Sequence, residues 1–350
     1  MSPVNESSWG QAEHVRAAPA GPLRDSGRAA QTRAMPIVPD AHVPAEGDEP
    51  TPGGAGRSGG PADEPGGLTP PAAGRPGVRK RAGRDLGAAV GVGLALGAVI
   101  VASLFAYKPA FLGVIAVAVV VGLWELSARL AERKAIRLPL PPLALGGATM
   151  VVVGYLEGAE AAWVAAALTA LAVLLWRMTG SPENYLRDVT AGVFAVFYVP
   201  FLATFVALML AADDGAWRVF TFLLLTVVSD TGAYAVGWRL GRRKLAPRIS
   251  PGKTREGLAG AVVFAMSAGA LSMQLLIDDG VWWQGLLLGA AVAASATLGD
   301  LGESMIKRDL GIKDMGTLLP GHGGIMDRLD SLLPTAPVAW LLLVAFVGAG

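Results

Sequence analysis

Two carboxylates close the stretch KRDLGIKDMGTLLPGHGGIMDRLDS, which runs from Lys307 to Ser331. Asp327 and Asp330 stand three residues apart, a spacing that puts both on one helical face. Two carboxylates on one face repel each other unless a cation lies between them. Oxygen ligands suit Mg²⁺, which keeps several waters and takes phosphate oxygens as further ligands. The competing reading pairs Asp327 or Asp330 with Arg328 or with nearby basic residues, since buried charges are normally paired. PGHGG, Pro320 to Gly324, cannot sit inside a helix, so a loop is expected whose backbone can meet a ligand. His322 lies in that loop. It suits a proton carrier, a donor to phosphate, or plain loop packing.

A second cluster is GDLGESMIKRD, Gly299 to Asp309. On a helix Asp300, Glu303, Ser304 and Lys307 share one face. Glu303 and Lys307 also suit a simple surface pair, which would leave Asp300 unpaired at the membrane edge. The third cluster runs from Ser229 to Gly257. Asp230 falls late in an apolar helix, where an ionisable group usually faces a polar cavity or a partner. Tyr234 follows four residues on, on the same face. Arg239, Arg242, Arg243, Lys244 and Arg248 come next. SPGKT then reads as a tight turn presenting Lys253 and Thr254. It lacks the spacing of a P-loop. The basic run alone also fits topology marking or attraction to anionic lipid. Together the clusters pair carboxylates for a divalent metal with cations for phosphate. Phosphoryl and nucleotidyl transfer use both, because their transition states spread charge over phosphate oxygens.

The elements that must position these groups are membrane helices. The 350-residue chain is 53% hydrophobic and 16% charged, against roughly 25% charged in a soluble domain. Its net charge of +1 argues against a nucleic-acid partner, and the absence of cysteine excludes disulfides and thiolate metal sites. Residues 1–80 hold thirteen prolines and thirteen glycines, with Trp9 the only aromatic. Such a stretch cannot bury enough apolar surface to offset ordering entropy, so a disordered tail is expected, followed by a membrane domain over 81–350. Apolar runs predict spans near 86–106, 109–127, 139–156, 161–176, 189–211, 217–237, 258–277, 282–299 and 332–348. The fold class expected is therefore all-α, a polytopic integral membrane protein with about nine transmembrane helices.

Loop charge agrees with that count. Arg79, Lys80, Arg81 and Arg84 precede the first span. Arg129, Arg133, Lys134 and Arg137 mark the second connection, and Arg177 and Arg187 the fourth. The sixth holds seven basic residues, from Arg239 to Arg255. The odd connections carry Lys108, then Glu157 and Glu160, Asp213 and Asp214, Asp278 and Asp279. Arg218 sits awkwardly at a span edge. The positive-inside rule puts the tail and all three clusters on the cytoplasmic side and the C-terminus outside.

The run Ser304 to Asp330 resembles the signature of the phosphatidate cytidylyltransferase family, also called CDP-diacylglycerol synthases. Its fixed positions are present as Ser304, Lys307, Arg308, Lys313, Asp314, His322, Gly323, Gly324, Asp327, Arg328 and Asp330. DTGAYAVG, SPGKTREG and GDLGES look like the family's upstream motifs. Arg255 departs from them, standing where an aromatic is more usual. The resemblance covers Thr226 to Ser331 by motif, and the chain from Leu86 by hydropathy only.

The resemblance implies transfer of CMP from CTP to phosphatidic acid at the inner face of a cell membrane, giving CDP-diacylglycerol and pyrophosphate. It implies Mg²⁺ on Asp300, Asp327 and Asp330, with room for a second, monovalent cation such as K⁺. Lys307 and His322 join Asp300 and Asp327 as catalytic candidates. Asp230, Tyr234, Lys253, Thr254, Glu303, Ser304, Arg308, Lys313, Gly323, Gly324 and Arg328 are the substrate-binding candidates. A homodimer is the assembly the family suggests. The rival readings are a CTP-dependent lipid kinase, which would release CDP, and a cation-coupled transporter. Charges gathered on one side instead of at the midplane speak against a transporter.

Overall fold

The computed structural model describes residues 86–318 and 323–349. The expected tail over residues 1–80 and His322 lie outside the described residues. The described chain is almost wholly helical. Helices α1 (Leu86–Ala106), α2 (Lys108–Lys134), α3 (Leu140–Glu157) and α4 (Ala159–Met178) come first. The fifth span is α5 (Tyr185–Val196), a π-helical turn (Phe197–Phe201) and α6 (Leu202–Ala211). After α7 (Gly215–Leu240) come strands β1 (Lys244–Ala246) and β2 (Ser250–Thr254). Helices α8 (Arg255–Leu276), α9 (Trp282–Leu310), α10 (Met326–Leu329) and α11 (Leu332–Val347) complete the fold.

Among the described residues eight helical runs are long and apolar enough to cross a membrane, with a shorter apolar stretch, Gly93–Ala106, in α1. The chain is a polytopic membrane protein. Most helices begin and end near the limits of their apolar runs, for local reasons. Pro stands in the first turn of α2 and of α3, where no backbone N–H is missed. Pro200 falls inside the π turn, where its missing N–H breaks the regular ladder. The hydroxyl of Thr204 donates to the Pro200 carbonyl at 2.8 Å. Two helices outrun their apolar stretches. Helix α2 continues to Lys134, and Arg129 pairs with Glu132 on its last turns at 2.7 Å. Helix α9 runs on to Leu310, so Asp300, Glu303, Ser304 and Lys307 ride one continuous helix.

Connections alternate between the two ends of the bundle. At one end Lys108 donates to the carbonyls of Ala212 (2.6 Å) and Asp213 (3.3 Å), and Arg218 to that of Gly348 (2.7 Å). At the other end Lys134 pairs with Asp309 at 3.1 Å, and Arg187 donates to the Ala135 carbonyl at 2.7 Å. Odd and even connections are thus sorted as alternating spans require.

One expectation is corrected. SPGKT is not a turn; it is strand β2, antiparallel to β1 with Lys244 opposite Thr254 and Ala246 opposite Ser250. The turn lies earlier, at Pro247–Ile249. A two-stranded ribbon has only edge strands, which is where Pro251 is tolerated. Helices α8 and α9 pack backbone to backbone at Gly269 and Gly285, where a Cβ on either would overlap the other's carbonyl. Small residues permit such approach inside membranes. This packing brings the charged end of α9 under the hairpin that leads into α8.

Candidate active site

At the end of the bundle that carries the even connections, a cavity of about 630 Å³ is lined by α7, β2, the first turn of α8, α9 and the start of the last span. Its wall includes Asp230, Tyr234, Lys253, Thr254, Asp300, Asp327, Arg328 and Asp330. All three charged sequence clusters therefore meet in one place.

The hairpin sets Lys253. The Glu256 carboxylate accepts the backbone N–H groups of Arg242 and Arg243, each at 3.1 Å, and so fixes the chain entering β1. Thr254 is the N-cap of α8; its hydroxyl accepts the Gly257 N–H at 3.1 Å. Arg308 donates to the Ile249 carbonyl at 3.3 Å and ties the turn to α9. So placed, the Lys253 ammonium meets Asp300 at 2.6 Å. The Ser304 hydroxyl donates to the other oxygen of Asp300 at 3.3 Å. Asp300, which the sequence left without a partner, is paired across the cavity wall. Asp230 reaches the last span, where the Ser331 hydroxyl donates to it at 3.2 Å.

Behind this wall lies a buried layer. Glu303 is fully buried and meets Lys307 at 2.7 Å, so the pair is internal, not the surface pair considered from sequence. The same ammonium lies 2.8 Å from Asp327. Asp327 also accepts the N–H groups of Met315 (2.9 Å), Gly316 (3.3 Å) and Gly324 (2.7 Å). Gly323 packs against its side chain at φ 79°, backbone that favours glycine. Asp327 therefore gathers both ends of the described part of the loop. Asp330 lies just past the four-residue α10, beside Glu303. Oε1 of Glu303 is buried without a hydrogen-bond partner.

Among the described residues no three Asp, Glu or His side chains close around a single point. Mg²⁺ does not need such a cage, since it is commonly held by one or two carboxylates plus substrate phosphates. Asp300 and Asp330 on one cavity wall, with an orphaned carboxyl oxygen behind, fit that donor set.

Two other candidates stand apart. Arg308 is engaged with the hairpin turn, and Lys313 is exposed on the loop after α9; neither is on the cavity wall. Three residues went unread in the sequence. Ser331 holds Asp230. Tyr198 sits in the π turn with its hydroxyl buried and unpartnered. Glu125 on α2 accepts the Met326 N–H at 2.8 Å. Glu125 alone carried a signal, an ionisable group in an apolar span. A larger groove, about 870 Å³, lies between α2, α5 and α9. Its walls are mainly Leu126, Leu130, Ile136, Leu186, Phe194 and Ile306, with no carboxylate.

Residues 88–346 match the model of a family described as the cytidylyltransferase family. A phosphatidate cytidylyltransferase of Mycobacterium bovis is 41% identical over 276 residues, covering 75% of this chain and 90% of that protein. One from Mycobacterium leprae is 42% identical over 279 residues, covering 75% and 89%. One from Thermotoga maritima is 36% identical over 172 residues, covering 48% and 63%.

Proposed function

The chain belongs to the cytidylyltransferase family, and from that premise we propose that it transfers CMP from CTP to phosphatidic acid. The observation that carries the reading is the cavity in which Lys253, Asp300, Arg328 and Asp330 converge at one end of a membrane bundle. A water-soluble nucleotide and a lipid headgroup meet only at such a boundary. A phosphate oxygen of phosphatidic acid attacks the α-phosphorus of CTP and forms the new P–O bond. The bond from that phosphorus to the β-phosphate bridging oxygen breaks, and its electron pair leaves with pyrophosphate. The attacking oxygen is already anionic, so no strong base is needed.

Lys253 and Arg328 bind phosphate oxygens in this scheme. Asp300 and Asp330 would hold Mg²⁺, which when bound neutralises the triphosphate and assists pyrophosphate departure. A monovalent cation such as K⁺ would suit the orphaned oxygen of Glu303. Asp327 also lines the cavity, but its oxygens are taken by Lys307, one layer back, and by the loop amides, so in this scheme it fixes the cavity floor and is not one of the Mg²⁺ ligands. The cavity end faces the cytosol of a cell membrane, because the even connections carry most of the Lys and Arg. The C-terminus then faces outward. Assembly as a homodimer belongs to the same reading and rests on the family resemblance.

The test is product analysis with purified protein in detergent, CTP, phosphatidic acid and Mg²⁺. Pyrophosphate released in step with a cytidine-containing lipid supports the reading. Release of CDP instead would mark a lipid kinase and overturn it.

A further inference from the structure

Glu125 is a buried carboxylate that the reaction above does not use. It sits in α2, 2% exposed, with Oε1 lacking a hydrogen-bond partner. Burying a carboxylate with an unsatisfied oxygen is costly. What the group touches is specific. Oε2 accepts the N–H of Met326, 201 residues along the chain. A Cβ added at Gly316 or at Gly324 would overlap the same carboxylate. The two glycines that give their N–H groups to Asp327 thus press their Cα atoms against Glu125. One turn along α2, Arg129 donates from Nε to the Met315 carbonyl at 2.8 Å. Helix α2 therefore grips the loop at both described ends, and Asp327 grips it from the other side.

We infer that Glu125 is a positioning residue for CMP transfer: from α2 it holds the Met315–Gly316 and Gly324–Met326 backbone so that Asp327 and Lys307 keep their place under the cavity. The inference rests on the transfer reaction proposed above. It requires the acceptor oxygen, not the charge, because the contact it makes is a backbone N–H. It also requires small residues at 316 and 324. Displacement of a catalytic group by about 1 Å from a remote change can cost ~10²-fold in rate.

The test compares purified wild type, Glu125→Ala, Glu125→Gln, Gly324→Ala and the double variant Glu125→Ala/Gly324→Ala. The assay is CMP transfer from labelled CTP to phosphatidic acid in detergent, alongside thermal melting. Expected for Glu125→Ala is a loss of kcat of about tenfold or more, with KM for CTP and the melting temperature little changed. Glu125→Gln should recover most of kcat, since its amide oxygen still accepts the Met326 N–H. Gly324→Ala should be slow by itself, and the double variant no slower than Gly324→Ala, because the two changes disturb one contact. Wild-type kcat in Glu125→Ala overturns the inference. So does equal damage in Glu125→Ala and Glu125→Gln with lowered melting temperatures, or strictly multiplicative losses in the double variant. If Glu125→Ala does not fold, Glu125→Gln and Gly324→Ala decide by the same criteria. An inactive wild type would instead overturn the proposed reaction.

Discussion

Both ends of this bundle bury charge, and they use it in opposite ways. At the end with the odd connections, Arg218 is 4% exposed and divides its guanidinium between Asp214 and the Gly348 carbonyl. Lys108 donates to two carbonyls just beyond α6. These cations are taken up by local partners, and neither lines the 630 Å³ cavity. At the other end Asp230, Asp300 and Asp330 line that cavity, and behind them Glu303 keeps an oxygen without a hydrogen bond. Buried charge by itself marks structure as readily as chemistry. Carboxylates that line a cavity beside Lys253 and Arg328 are the better candidates for chemistry.

Substitutions at the two ends should separate these roles. The largest effect is expected for Asp300→Asn, which removes the Lys253 partner and a proposed Mg²⁺ ligand. CMP transfer should fall ~10²–10³-fold while membrane insertion and melting stay near wild type. Lys253→Ala should cost about one order of magnitude less. Its KM for CTP should rise, while half-saturating Mg²⁺ falls, because Asp300 no longer spends charge on the ammonium. Magnesium titrations at fixed CTP check this.

Arg218→Ala should do the reverse. Removing one partner of a buried pair costs about 3–5 kcal/mol, seen as a lower melting temperature. Turnover per folded molecule should not change. Abolished turnover in a folded Arg218→Ala protein would break the contrast between the ends. Lys108→Ala should be the mildest, near 1 kcal/mol for lost hydrogen bonds, with turnover unchanged.

The sequence showed the membrane helices clearly, because each needs a long apolar run and loop charge checks the count independently. It also showed the three charged clusters, since ionisable groups stand out against apolar surroundings. It did not show the pairing of Lys253 with Asp300, which depends on a hairpin whose Pro-Gly step reads locally as a turn. Tertiary contacts overrule that local signal: Glu256 draws in two backbone amides, and β1 supplies the partner strand. Asp327 was legible as a carboxylate but not as the hub of a loop, because its partners are largely backbone amides and carry no residue-type signature. Glu125 stood out as an ionisable group in an apolar span, but its role was hidden, because the backbone N–H it accepts lies 201 residues away.

The most direct measurement follows the α-phosphorus itself. CTP labelled at that atom is incubated with phosphatidic acid and Mg²⁺, using wild type and Asp300→Asn at equal folded concentration. The prediction is label in the lipid fraction for wild type, one pyrophosphate per labelled lipid, and almost none for the variant. Lipid that acquires label only from γ-labelled CTP, or an Asp300→Asn variant as fast as wild type, would contradict it.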